Sequence, residues 1–170
     1  MNKSAEPGIQ VTETILSGHY PFPLGIIEIM ASNIGLRGVQ FANEVVVGEA
    51  GGGLISDCAQ QLDEYFSGKR KTFSLPFDLQ GTDFQKRVWM ELLIIPFGKT
   101  ISYLELARRL GDEKVIRAAG SANGKNPLAI LVPCHRVIGS DGNLVGYAGG
   151  LHRKKWLLEF ESGTQQTSLF

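Results

Sequence analysis

The sequence is short of cysteine, of long apolar runs and of any excess charge, and each shortage closes off a class of protein. Its two cysteines, Cys58 and Cys134, make no disulfide framework in a chain of 170 residues. No close pair of Cys or His has the spacing of a zinc site, so a reducing interior and no metal or other cofactor are expected. No apolar stretch approaches the roughly 20 residues that span a bilayer, and the polar N-terminus lacks a signal-peptide core, which predicts a cytoplasmic protein without a membrane partner. Lys plus Arg and Asp plus Glu balance at 17 each, so the chain carries no overall basic footprint for nucleic acid. Any such contact must come from a local patch. Charges lean positive between Lys86 and Lys125, and Arg153, Lys154 and Lys155 form a second basic cluster; such clusters also occur as plain solvated faces.

What is present is an ordinary globular composition, 43% hydrophobic and 20% charged, enough for a sizeable core. A first strand is expected at about Val11 to Leu16. Gly25 to Ala31 and Gly35 to Phe41 read as a hairpin turned at Ser32 to Gly35, with Val45 to Val47 as a third strand. After the glycines at 48 to 53, Leu54, Cys58, Leu62 and Phe66 recur at helical spacing up to a C-cap at Gly68, which makes Cys58 a core residue. Phe73, Leu75, Phe77 and Leu79 alternate along an extended connector. Thr82 and Gln85 form a capping box for the next helix, and Ser102 and Glu105 a second one. Tyr103, Leu106, Ala107 and Leu110 share a face; Gly111 ends that helix, and Asp112 caps another from about Glu113 to Asn123. The fold class is therefore α/β (α+β). Residues 1–81 form a small N-terminal sheet with a helix and connector, a supporting domain, and residues 82–170 form a mainly helical domain containing a helix-turn-helix.

The second helix of that pair is built from small residues, Ala118, Ala119, Gly120, Ser121, Ala122 and Gly124. Such a face suits either close packing in the core or approach to a groove narrower than the major groove. Chemistry is concentrated further on, in the run Ile130, Leu131, Val132, Pro133, Cys134, His135, Arg136, Val137, Ile138, which reads as a buried strand delivering a thiol and an imidazole. An apolar run with one cysteine is ordinarily core. The adjacent His and Arg, however, need buried partners or a site. Neighbouring side chains on a strand face opposite ways, so His135 would reach Cys134 only through a bend at Cys134 or a bridging water.

Pro133 to Val137, with Asn126 and Pro127 before them and Gly146, Tyr147, Ala148, Gly149 and Gly150 after them, closely resemble the DNA alkyltransferases that repair O6-alkylguanine. The resemblance continues through Gly98 to Tyr103, Arg117 to Gly120, and Trp156, Leu157, Leu158 and Glu161; the N-terminal third matches only in pattern. It implies single-turnover transfer of an alkyl group, methyl first, from O6-alkylguanine in duplex DNA to Cys134, with O4-alkylthymine as a second candidate substrate. It implies that His135, oriented by Glu161, takes the thiol proton, with Tyr103 assisting at the base. Arg117 would fill the stack after a nucleotide is rotated out, and Ser102, Tyr103, Ala118, Ser121 and Lys125 would contact DNA through its minor groove. Asn126 would be a hinge, and Val137, Tyr147, Ala148 and Gly149 would wall the base pocket. A monomer is expected. A cysteine hydrolase, a non-reactive lesion sensor and a transcription regulator are the other readings; the last two leave Cys134 without a purpose.

Overall fold

A computed structural model of the chain describes residues 12–44, 46 and 51–164. Its N-terminal part is a three-stranded antiparallel sheet in the order β1 (Leu16–Phe22), β2 (Gly25–Ala31), β3 (Leu36–Ala42). The β2–β3 hairpin forms where alternation of Ile27, Ile29 and Ala31 with less buried neighbours predicts it. The first strand lies later than expected: a tight turn at Pro23 and Leu24 pairs Phe22 with Gly25 and Leu16 with Ala31, and Thr12 to Ile15 are not in a strand. Val11, and the expected strand at Val45 to Val47 apart from Val46, lie outside the described residues.

Helix α1 (Leu54–Phe66) packs Ile55, Cys58, Leu62 and Tyr65 into the core against this sheet. It closes at Gly68, whose left-handed φ of 78° lets its N–H donate to the Tyr65 carbonyl at 3.0 Å. Burial pushes the Cys58 thiol up to about 12, leaving it a core hydrophobe. The connector then runs along β3, where Leu36 N–H donates to Pro76 and Asp78 N–H to Leu36. Further along the same strand Val39 exchanges hydrogen bonds with Pro127 and Ala129, both 2.9 Å. Strand β3 is thereby stitched to the segment that leads to Cys134.

The C-terminal part begins with α2 (Asp83–Leu92), which carries the complete capping box of Thr82 and Gln85. A two-residue strand β4 (Ile101–Ser102) precedes α3 (Tyr103–Arg109). Ser102 accepts from Glu105 N–H as expected, but the Glu105 carboxylate takes a hydrogen bond from Arg109 one turn on. The expected helix after Asp112 is split: a 3-10 turn at Glu113–Val115 leads into α4 (Ile116–Gly124). Both faces of α4 are used. Ala119 and Ala122 are buried, with the Trp89 indole donating to the Ala122 carbonyl at 2.9 Å, while Arg117, Ala118, Ser121 and Lys125 at its end face solvent. Strand β5 (Val137–Ile138) pairs in parallel with β4, and α5 (Leu151–Ser162) closes the fold.

Candidate active site

The expected strand from Ile130 to Ile138 is not formed; strand geometry is confined to Val137 and Ile138. Ile130 sits at φ 72°, the only non-glycine residue at positive φ among the described ones, and Leu131 N–H folds back to Ala129 and Val132 N–H to Leu128. Cys134 to Arg136 then form a 3-10 turn. The cause is Asn126, whose amide donates to the Val132 carbonyl at 2.7 Å while its Oδ1 accepts from Leu128 N–H at 3.0 Å. Those cross-links hold a bend that β-branched residues alone would not adopt. A bend rather than an extended run therefore presents Cys134, His135 and Arg136.

All three are buried. His135 lies with Nε2 2.7 Å from Glu161 Oε1, and its Nδ1 has no hydrogen-bond partner among the described residues. Burial pushes its pKa down, against the opposing pull of the carboxylate, so the ring is neutral; Nε2–H donates to Glu161 and Nδ1 keeps a lone pair. Glu161 is the hub of the site. Besides His135 it accepts from Arg136 Nε to Oε2 at 2.8 Å, Arg136 Nη2 to Oε1 at 2.9 Å, and the Tyr65 hydroxyl at 2.7 Å. Burial works against the carboxylate, but the hydrogen bonds and charge of His135 and Arg136 outweigh it and hold its pKa well below the usual range. Arg136 spends its remaining arm on the Ile95 carbonyl at 2.6 Å.

Burial raises the Cys134 thiol pKa, opposed by the Asn126 amide and the charge of Lys154. Lys154 is fully buried, contrary to its expected place in an exposed basic cluster, because it is drawn inward by backbone carbonyls: its ammonium donates to Val145 at 3.0 Å and Gly146 at 3.2 Å. It also lies 3.4 Å from the Tyr103 hydroxyl, which donates to Val145 at 2.8 Å. Burial lowers the Lys154 pKa to about 8. Arg153 is likewise turned inward, onto the carbonyls of Leu24 and Gly149, leaving Lys155 as the exposed member.

Cys134 opens onto a cavity of about 150 Å³ lined also by Asn126, Gly124, Ala129, Tyr147, Ala148 and Gly149. Three of the four residues named for the base pocket are there; Val137 is not, being buried in its pairing with Ile101. Val39, Gln40 and Phe41 of β3 complete the wall, so the N-terminal sheet reaches the site it was expected only to support. A second hollow, about 340 Å³ and largely apolar, lies between Tyr103, Ile116, Arg117, Gly120, Val145 and Gly146, on the α4 face that carries Arg117. Arg136, Lys154, Tyr65 and Phe41 were not legible as site residues; only the need of Arg136 for a buried partner pointed to one of them. Among the described residues no group of His, Cys, Asp and Glu could hold a metal ion, and no helix is long and apolar enough to cross a membrane.

A buried thiol beside a carboxylate-anchored imidazole, next to a helix pair with an exposed basic edge, defines a cysteine-centred site set close to a binding surface. Residues 83–163 match the family model described as the DNA binding domain of 6-O-methylguanine DNA methyltransferase, and residues 15–79 match its ribonuclease-like domain. The chain belongs to this family. It is 52% identical over 117 residues to the methylated-DNA–protein-cysteine methyltransferase of Mycobacterium leprae, covering 69% of this chain and 71% of that one. With the protein of the same name from Methanosarcina barkeri it shares 53% identity over 105 residues, 62% of this chain and 66% of the relative. The crystal structure of Mycobacterium tuberculosis O6-methylguanine methyltransferase superposes with a TM-score of 0.80 at 39% identity, over 91% of this chain and 97% of the other. The Mycobacterium tuberculosis protein OGT in complex with DNA gives 0.80 at 40% identity, over 89% and 95%.

Proposed function

We propose that this protein repairs duplex DNA by moving the alkyl group of O6-alkylguanine, methyl first, onto Cys134, and that residues 82–170 bind DNA and carry the transfer while residues 1–81 support them and lend β3 to the cavity wall. The observation that carries this reading is the pairing of His135 with Glu161, which fixes the imidazole proton on Nε2 and leaves Nδ1 as a free base on the residue that follows the buried Cys134. His135 takes the thiol proton through a water. The thiolate attacks the alkyl carbon, a carbon–sulfur bond forms as the carbon–O6 bond breaks, and the departing guanine recovers a proton with help from Tyr103. The imidazolium formed at His135 is stabilised by Glu161. A thioether has no electrophilic carbonyl for water to attack, so each molecule acts once.

Extrusion of the base is required because the alkyl carbon of a stacked guanine cannot reach a thiol held in a cleft. The exposed edge of Arg117, Ala118, Ser121 and Lys125, with Ser102 and Tyr103 beside it, is the surface proposed to enter the minor groove. Arg117 takes the place of the extruded nucleotide, Asn126 is the hinge that fixes Cys134 relative to α4, and Tyr147, Ala148 and Gly149 wall the base pocket. O4-alkylthymine is the second candidate substrate. The protein acts as a cytoplasmic monomer.

The test is intact-protein mass after incubation with a duplex carrying one O6-methylguanine, followed by peptide mapping. A gain of one methylene on Cys134, stopping at one per molecule, is expected. Unchanged mass with the duplex still bound would leave a lesion-binding protein with a structural cysteine.

A further inference from the structure

The geometry points to Phe41, on the N-terminal sheet, as the residue that limits the size of the alkyl group Cys134 can accept, with Arg153 as the residue that holds it in place; the inference rests on the alkyl-transfer reading of Cys134.

The wall of the Cys134 cavity sets several small residues beside Val39, Gln40 and Asn126. Gly124, Ala129, Ala148 and Gly149 contribute little bulk, and the two large rings are Tyr147 and Phe41. These rings close on one point: a Cβ added to Gly149 would meet Phe41 Cδ2 at 2.7 Å and Tyr147 Cε1 at 2.8 Å. Phe41 comes from a different part of the chain, delivered by the stitching of β3 to Pro127 and Ala129. Its ring is capped by the Arg153 guanidinium, 4.3 Å from the ring centroid. The same guanidinium donates from Nε to the Leu24 carbonyl and from Nη1 to the Gly149 carbonyl, each at 3.0 Å. One cation thus fastens the β1–β2 turn, the aromatic wall and the pocket loop together.

The cavity holds about 150 Å³. That is roughly the volume that accommodates one benzene-sized ring. A methyl substituent adds a single carbon to the base, whereas a benzyl substituent adds a further six-membered aromatic ring at the end nearest Cys134. With Gly149 packed against both rings, the removable bulk on this side of the cavity is Phe41. Small alkyl groups are therefore the substrates of the native pocket, and the N-terminal sheet sets that preference.

Single-turnover transfer is measured for the native protein, Phe41→Ala, Phe41→Trp and Arg153→Ala on duplexes containing O6-methylguanine or O6-benzylguanine, with the Cys134 adduct read by mass and folding followed by thermal melting. The quantity compared is the benzyl-to-methyl rate ratio. It should rise on the order of tenfold or more in Phe41→Ala, fall in Phe41→Trp, and rise in Arg153→Ala as the ring is released. An unchanged ratio in Phe41→Ala, equal losses with both substrates, or a shift of the same sign in the Ala and Trp variants would overturn the assignment. If Phe41→Ala does not fold, the Trp variant decides. Failure of the native protein to take methyl on Cys134 would instead remove the alkyl-transfer reading, and the size limit with it.

Discussion

Arg136 grips both carboxylate oxygens of Glu161, Nε to Oε2 at 2.8 Å and Nη2 to Oε1 at 2.9 Å, while His135 takes only Oε1. The carboxylate therefore balances a permanent buried charge as well as orienting an imidazole. Removing its charge leaves a guanidinium with no counter-ion in the core.

Glu161→Gln should accordingly cost about 3–5 kcal/mol, a large part of the stability of a domain this size. Urea unfolding of the variant beside the native protein measures it. A loss below about 1 kcal/mol would mean that Arg136 finds another partner or reaches solvent.

Acid should weaken the fold in two stages. The pKa of His135 is lowered by burial, so below the ordinary histidine value of about 6.5 the unfolded chain binds a proton that the native one resists. Stability from this group is present above about 6.5 and is lost as pH falls through the lowered native value. Glu161, also depressed, adds a further loss below about 4.3. Melting temperature should be level from about pH 8, below which Lys154 is charged in the native chain, down to about 6.5 and then decline, and His135→Asn should remove the upper stage of that decline.

Cys134→Ser should abolish transfer and leave duplex affinity within a few fold, because the thiol acts after docking. Mass spectrometry and fluorescence anisotropy on the same samples separate the two. Retained transfer would move the nucleophile elsewhere.

Arg117 projects from α4 beside the hollow formed with Val145 and Gly146. If it offsets part of the few kcal/mol needed to open a base pair, Arg117→Ala should slow repair of duplex by tenfold or more. Reaction with the free O6-methylguanine base should change much less. Equal losses on both would make it an ordinary contact.

Lys125, exposed at the end of the same helix, should behave as a phosphate contact. Lys125→Ala is expected to weaken binding to all duplexes alike and to lower the slope of log affinity against log salt by about one. An unchanged slope would take it off the DNA surface.

Local signals were read correctly where the chain's own neighbours decide the outcome. Thr82 and Gln85 sit three apart and cap each other, and Gly68 closes α1, because both devices need only nearby backbone. The run to Ile138 misled because its β-branched residues favour a strand, and the bend is imposed by Asn126 reaching Val132 six residues away. Lys154 beside Arg153 and Lys155 looked like part of a basic surface, since the carbonyls of Val145 and Gly146 that draw it inward belong to a loop whose path no periodicity reveals. Phe41 was invisible for the same reason: its place in the pocket depends on how β3 meets Pro127 and Ala129.

Tyr65 donates to Glu161 across 96 residues, so a phenol of α1 completes the surroundings of a carboxylate of α5. A nascent chain that has emerged as far as Ile138 already carries Cys134 and His135, yet it has neither Glu161 to set the imidazole tautomer nor Lys154 to draw the loop inward. The surroundings of the His135 ring are therefore complete only once α1 and α5 have docked on the same carboxylate, so tertiary folding and not the local turn prepares the imidazole.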